Sequence, residues 1–352
     1  MQKIVFTGGG SAGHVLPNVA IIQQLQKTGE YDLYYFGTDG IEKQLIAPLK
    51  LPYYSYSAPK LKRGSSFGAL KNNLAIPCRF LSAVRAAKEG LRRINPDLVF
   101  SKGGYVALPV VYAAAQLKIP CLSHESDLTP GLANRMMQGK CQRILTAFPE
   151  TADTLRGGVY CGQPLRASLF GQDRTAARKR FADGTHKKVV LIFGGGSGSA
   201  ALNDAVRKHA PALCKRHYLL HVCGKGNALE SRLPNYRQYE FIEDMGGVYA
   251  AADLIVSRAG AGAIFEAMAL KKPAVFVPLE GQTRGDQKEN AAYFLGRGLC
   301  HVLPQKHLDR LPFAIERALN DQALKEALEL SPFGSGTDAA IQAIRKQLSL
   351  QP

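Results

Sequence analysis

The stretch Lys3-Ile4-Val5-Phe6-Thr7-Gly8-Gly9-Gly10-Ser11-Ala12-Gly13-His14 opens the chain with an apolar, strand-like run feeding a glycine turn. The same pattern returns as Val189-Val190-Leu191-Ile192-Phe193-Gly194-Gly195-Gly196-Ser197-Gly198. Helical stretches follow both copies, at 18–25 and 200–209. A strand, a glycine turn and a helix in that order bring free backbone N–H groups and the positive end of a helix dipole up to a phosphate. One copy could be no more than a tight strand-to-helix connection. Two copies in equivalent positions predict two Rossmann-like halves facing a cleft, an arrangement suited to carrying an activated, phosphate-linked group to an acceptor.

Strand candidates recur outward from these loops at 33–36, 98–100, 121–123 and 143–146, and again at 218–222, 239–241, 254–257 and 274–277, with helix-length segments between them. The alternation predicts an α/β protein of two doubly wound parallel sheets covered on both faces. Glycine and proline punctuate the chain at Tyr160-Cys161-Gly162-Gln163-Pro164, which places the domains at 1–162 and 163–335, with a last helix at about 336–352 packing back on the first. Ligands of open parallel sheets bind beyond the carboxyl ends of the strands. There stand Ser101-Lys102-Gly103-Gly104-Tyr105, His124-Glu125-Ser126-Asp127, Arg258-Ala259-Gly260-Ala261-Gly262 and the run from Pro278 to Gln287. A dinucleotide site also needs an acid at the end of the second strand. Here Leu33-Tyr34-Tyr35-Phe36 runs into Gly37-Thr38 before Asp39, so a nicotinamide-dependent dehydrogenase stays only as an alternative.

The 352 residues suffice for two cored domains, and 46% apolar with 21% charged residues is ordinary for a globular chain. Seven cysteines form no CxxC pair and follow no signal-peptide pattern, which reads as reduced thiols without a disulfide framework or zinc site. No DxD pair of carboxylates suggests a metal. The formal charge of +17 calls for a polyanionic partner. Much of it lies between Lys60 and Arg93, where Lys71, Arg79 and Arg85 interleave with Leu74, Phe80, Leu81 and Val84. A basic and apolar mixture at partly helical spacing can lie in an anionic membrane interface, or it can cover a core with a solvated basic face. No helix-turn-helix or RNA-binding signature is present, which ranks nucleic acid below lipid.

At the strand ends the sequence closely resembles the MurG family of bacterial glycosyltransferases over essentially its whole length. The resemblance rests on Gly8 to His14 with Pro17, Gly103-Gly104-Tyr105, His124-Glu125 with Pro130-Gly131-Leu132-Ala133-Asn134, Gly162-Gln163-Pro164-Leu165-Arg166, Phe241-Ile242, Ser257-Arg258-Ala259-Gly260 and Arg284-Gly285-Asp286-Gln287. It implies a GT-B fold, inverting transfer of N-acetylglucosamine from UDP-GlcNAc to the 4-hydroxyl of N-acetylmuramic acid in lipid I, and peripheral attachment to the cytoplasmic face of the bacterial membrane. Other cell-wall and division proteins are implied partners; no nucleic acid and no resident cofactor or metal is.

The resemblance also distributes the roles. Ile242 would meet uracil through its backbone, Glu266 the ribose, and the turn from Arg258 through Ala261, Gly262, Ala263, Ile264 and Phe265 the diphosphate. Arg166, Gly196 and Ser197 would face the diphosphate, Gln287 the sugar hydroxyls, and Ser11, Ala12 and Gly13 would close on the donor. That same first loop, with Gly103, Gly104 and Tyr105, would receive the acceptor's diphosphate and sugar, and His124, Glu125 and Asp127 would also bind the acceptor. His14 is the candidate general base or positioning group and Asp127 the second. Each has a structural competitor: His14 as a helix cap, His124 and Glu125 as a buried pair, Arg258 as a partner of Asp253 or Asp286. Two positions depart from the common family pattern: Asp127 stands where many members have Asn, and Gly196 where many have Ser. A diacylglycerol-directed glycolipid synthase would share the fold and the basic segment.

Overall fold

The computed structural model describes residues 1–60, 73–196, 198–280 and 285–350. Two compact units emerge, residues 1–166 with 335–352, and residues 167–334. In the first, β1 (Gln2–Thr7), β2 (Tyr31–Gly37), β3 (Tyr53–Ser55), β4 (Leu98–Ser101), β5 (Cys121–Glu125), β6 (Arg143–Thr146) and β7 (Gly158–Tyr160) form one sheet in the order β3-β2-β1-β4-β5-β6-β7. In the second, β8 (Lys188–Phe193), β9 (His217–Val222), β10 (Tyr236–Tyr239), β11 (Leu254–Ser257), β12 (Ala274–Phe276) and β13 (His301–Val302) run in the order β10-β9-β8-β11-β12-β13. Every pairing is parallel. Parallel strands need crossover helices on both faces, which is why Ile4, Val5 and Phe6 are all fully buried although they point alternately up and down.

Strand order reverses between β1 and β4, and again between β8 and β11. Loops leaving neighbouring strands at such a reversal diverge to opposite faces and leave a crevice. The first crevice therefore receives residues 8–14 and 102–105, the second residues 194–196, 198–199 and 258–263. Core packing follows helical spacing on the helices around them. In the helix Ile76–Ile94, Val84, Ala87, Leu91 and Ile94 turn inward against Val99 and Val110. The last helix, Thr337–Ser349, sets Ala340, Ile341, Ile344 and Leu348 against Val19 and Ile22 of the first. Its entry is stitched to the segment that follows β7: Gly336 N–H donates to Gln163 O at 2.8 Å and Thr337 Oγ1 bridges the N–H and O of Leu165.

Two expectations shift. The strand expected at 239–241 lies at Tyr236–Tyr239, because Tyr236 is the residue whose ring goes inward to stack on His221, while Phe241 is exposed. Val84, counted with the membrane-facing residues, is a core residue at 5% exposure. Leu74, Arg79, Leu81 and Arg85 are exposed, and Phe80 is half-buried, edge-on to Tyr112 at 5.2 Å. Lys71 and Ser197 lie outside the described residues. No helix among the described residues is long and apolar enough to cross a membrane.

Candidate active site

At the first crevice the two loops interlock. A Cβ on Gly104, whose φ is +79°, would stand 3.1 Å from Gly9 O and 3.2 Å from His14 Nδ1, and a Cβ on Gly10 would collide with the Tyr105 ring. Both glycines are needed because Gly104 packs on the backbone and His14 ring of the first loop and Gly10 on the Tyr105 ring of the second. His14 ends a short 3-10 turn, Ala12–His14, and its Nδ1 lies 3.1 Å from Ser11 Oγ. It thus sits one residue before Val15, the N-cap of the helix Leu16–Thr28, which has no side-chain cap.

Beneath the glycine loop lies Glu42, which no motif had marked. Fully buried, it accepts from Gly10 N–H and Thr38 N–H, each at 3.0 Å, and from the Thr38 hydroxyl. Burial raises its pKa, but these hydrogen bonds outweigh burial and hold it below the ordinary carboxylate value. The acid after the second strand is therefore turned inward on the loop; Asp39 is paired on the surface with Lys43 at 2.7 Å. No acid in the expected place is left to hold a dinucleotide's ribose.

His124 and Glu125, expected at the acceptor, belong instead to the scaffold. His124 is fully buried and donates from Nε2 to Gly162 O at 2.9 Å. Burial, with the Lys102 cation beside it, drives its pKa well below the ordinary histidine value, so the ring is neutral. Glu125, 5% exposed, spends both oxygens on the N–H groups of Ser126, Asp127 and Gly131 and on Asn134 Nδ2, at 2.7–3.0 Å. A carboxylate accepting that many backbone donors shapes the loop and has no lone pair to offer a sugar. Asn134 also accepts from Ser123 Oγ at 2.9 Å, and a Cβ on Gly103 would come within 3.0 Å of its amide. Asp127, half-buried like Leu128 and Thr129 after it, reaches the surface.

In the second unit the geometry is braced by a cation. Arg258, 7% exposed, makes five hydrogen bonds: Nε and Nη2 to Ser199 Oγ at 3.0 and 2.7 Å, Nη2 to Gln305 Oε1 at 2.6 Å, and Nη1 to the carbonyls of Val277 and Pro278 at 3.2 and 3.4 Å. A guanidinium has five N–H donors, so none is left for a phosphate. The side chain ties the loop after β8 to the ends of β11 and β12, and its partner is neither Asp253 nor Asp286. Asp253 serves Arg174 and Arg178. Ser199, held by Arg258, caps the helix Ala200–Arg216.

The helix Ala261–Ala269 opens on Gly260 without a side-chain cap. Its first-turn donors are those of Ala261, Gly262 and Ala263, and a Cβ on Gly262 would meet nothing within 4 Å. Ile264 and Phe265, counted with the donor residues, drop out: Ile264 N–H already bonds Gly260 O, and both side chains are in the core, Phe265 edge-on to Phe294. Glu266, half-buried one turn on, accepts from the hydroxyl of fully buried Tyr249 at 2.7 Å. Gln287 Oε1 accepts from Leu279 N–H at 2.9 Å, which fixes its amide plane. Ile242 follows β10, its side chain buried, so it can offer only backbone. Gly196 is exposed in the second glycine loop, and Arg166 is half-buried at the end of the first unit.

Two parallel-sheet α/β units, each with a glycine loop and a second loop at its strand-order reversal, define a glycosyltransferase of the GT-B class. Residues 4–146 match the glycosyltransferase family 28 N-terminal domain, and residues 189–338 the family 28 C-terminal domain. A UDP-N-acetylglucosamine–N-acetylmuramyl-(pentapeptide) pyrophosphoryl-undecaprenol N-acetylglucosamine transferase of Clostridium perfringens is 40% identical over 98% of both chains. Its counterpart in Lachnospira eligens is 43% identical over 88% of both. The crystal structure of Acinetobacter baumannii MurG superposes with a TM-score of 0.73 at 27% identity, covering 98% of this chain and 99% of that one. The chain belongs to the MurG family.

Proposed function

We propose that this enzyme moves N-acetylglucosamine from UDP-GlcNAc to the 4-hydroxyl of N-acetylmuramic acid in lipid I, giving lipid II for peptidoglycan synthesis. The family membership along 98% of the chain carries the reading. The site agrees with it. Tyr249 fixes Glu266 to accept from the donor's ribose, the uncapped first turn of Ala261–Ala269 meets the diphosphate, and Ile242 meets the base through its backbone. Gln287, its oxygen already committed, is left to donate to a sugar hydroxyl, which selects among sugars because a buried amide without its partner is costly.

The acceptor hydroxyl attacks the anomeric carbon as UDP departs with growing negative charge. Helix-end and loop N–H groups of the second unit would supply the stabilisation without a metal, with Arg166 as the cation that the family resemblance assigns to the diphosphate. His14, abutting Gly104, takes the proton or positions the hydroxyl; Asp127 is the second candidate. Leu74, Arg79, Leu81 and Arg85, exposed before and along the helix Ile76–Ile94, would hold the enzyme peripherally on anionic lipid at the cytoplasmic face.

The test is UDP release from UDP-GlcNAc with and without a lipid-linked muramyl acceptor, in EDTA, for the wild type, His14→Ala and Glu266→Ala. Acceptor-dependent release that survives EDTA and falls in both variants is expected. Donor binding without release on that acceptor would refute the acceptor assignment, and loss of release in EDTA the metal-free site.

A further inference from the structure

Lys102 follows β4 directly, at the reversal of strand order, and is 1% exposed. Its backbone N–H extends the ladder to Thr7 O at 2.8 Å, and a Cβ on Gly8 would come within 2.9 Å of its own Cβ. The side chain therefore runs under the first glycine loop. Its ammonium donates to Ser126 Oγ at 2.7 Å, and Ser126 Oγ in turn donates to Gln163 Oε1 at 2.6 Å. Ser126 is the only acceptor it meets among the described residues, although an ammonium carries three donors. A buried cation so sparsely hydrogen-bonded has to be held by charge. The charged and titratable groups facing it are Glu125 at the end of β5, Asp127 just after it, Cys161 after β7, and neutral His124 in β5. Glu125 is already enclosed by four hydrogen-bond donors, whereas Asp127, next to Ser126, reaches the surface.

We infer that Lys102 is a positioning residue: its ammonium, anchored on Ser126 beneath the first glycine loop, holds the loop that carries Asp127 in place, so that the two residues act as one unit toward the acceptor hydroxyl. Burial lowers the Lys102 pKa, and the negative charges of Glu125 and then Asp127 push it back up, so removing either Lys102 or Asp127 upsets the charge balance of the cluster. The inference rests on the reading of residues 124–134 as the acceptor side.

The experiment is a double-mutant cycle of Lys102→Met, Asp127→Asn and the pair, read in two ways. Melting temperature at pH 7 needs no substrate: each single variant should melt lower than the wild type, and the charge-free double variant should recover. In kcat/KM for the lipid-linked acceptor, each single variant should lose at least about tenfold and the double should lose no more than about threefold beyond Asp127→Asn alone, with the KM for UDP-GlcNAc unmoved. The acidic limb of the pH profile should move to higher pH in Lys102→Met and vanish in Asp127→Asn. Additive losses in both readouts, or an acidic limb unmoved in Lys102→Met, overturn the inference. Coupled melting in a wild type that turns over no lipid-linked muramyl acceptor overturns the acceptor role while leaving the charge pair intact.

Discussion

Replacing Arg258 with Lys separates a scaffold role from a phosphate-binding role, because the charge is kept while the fork of five donors is lost. The guanidinium serves four acceptors, Ser199 Oγ, Gln305 Oε1, Val277 O and Pro278 O, through five bonds of 2.6–3.4 Å. One ammonium on a shorter reach can serve at most three of them. With at least two charge-assisted bonds lost in a site 7% exposed, the variant should lose about 3 kcal/mol. At a urea slope of about 2–3 kcal/mol/M this moves the midpoint of the second unit's transition down by about 1–1.5 M. The chain has no tryptophan, so the transition is followed by far-UV circular dichroism with tyrosine fluorescence. Ser199→Ala removes the acceptor of two of the bonds and a helix cap, costing about 1–2 kcal/mol, and the two substitutions together should cost less than their sum. An Arg258→Lys midpoint equal to wild type, combined with UDP binding weakened tenfold or more, would refute the scaffold assignment.

Three further outcomes are expected. His124 is held neutral in the fold, whereas in the unfolded chain it takes up a proton below about pH 6.5. Stability is thus intact above that pH and falls as the pH drops toward the depressed folded value, by about 1 kcal/mol between pH 7 and 5.5. His124→Gln, whose amide can still donate to Gly162 O, should flatten that slope; equal slopes in the two proteins would sink the argument. Tyr249→Phe removes the hydroxyl on Glu266 and should raise the KM for UDP-GlcNAc roughly fivefold, about 1 kcal/mol, with the lipid KM unchanged; an unchanged donor KM would show that Glu266 needs no such anchor. Leu81→Ser should weaken binding to anionic vesicles about tenfold at unchanged stability, while Val84→Ala should cost about 1–2 kcal/mol of stability and leave vesicle binding alone. The opposite pattern would show that the two faces of this helix have been exchanged.

Both sheets were legible because buried parallel strands are continuous apolar runs between helix-length segments, and because a glycine turn after such a run has few other uses. The three strands that went unread, β3, β7 and β13, are edge strands of two or three residues, too short to show a period. At the site, the loops were readable and the charges within them were not. Lys102 stood in a quoted motif and Glu42 in none, yet their roles depend on contacts 24 and 32 residues away along the chain. The bond from Arg258 to Ser199 spans 59 residues. His124 and Glu125 illustrate the converse: a motif persuasive for chemistry proved to be a loop's internal skeleton, because a backbone turn full of donors is satisfied by one buried carboxylate.

The repeat that opens the chain is symmetric in sequence and opposite in charge. The first glycine loop is built round an internal anion: Gly10 N–H, a donor that a phosphate would want, is already given to ionised Glu42. The second is braced from behind by an internal cation, with Arg258 locked on Ser199. A diphosphate placed at the first loop would meet a fixed carboxylate, whereas at the second the fixed charge is favourable even though the guanidinium makes no direct contact. A negative charge near the first loop favours instead a group that must give up a proton, because it stabilises the protonated form of the base that takes it. On the proposed reading, the buried anion beside the first loop suits hydroxyl activation there better than the acceptor diphosphate that the resemblance implied, and the buried cation beside the second suits the nucleotide. Neither of those two residues is part of the glycine motif that announces the fold.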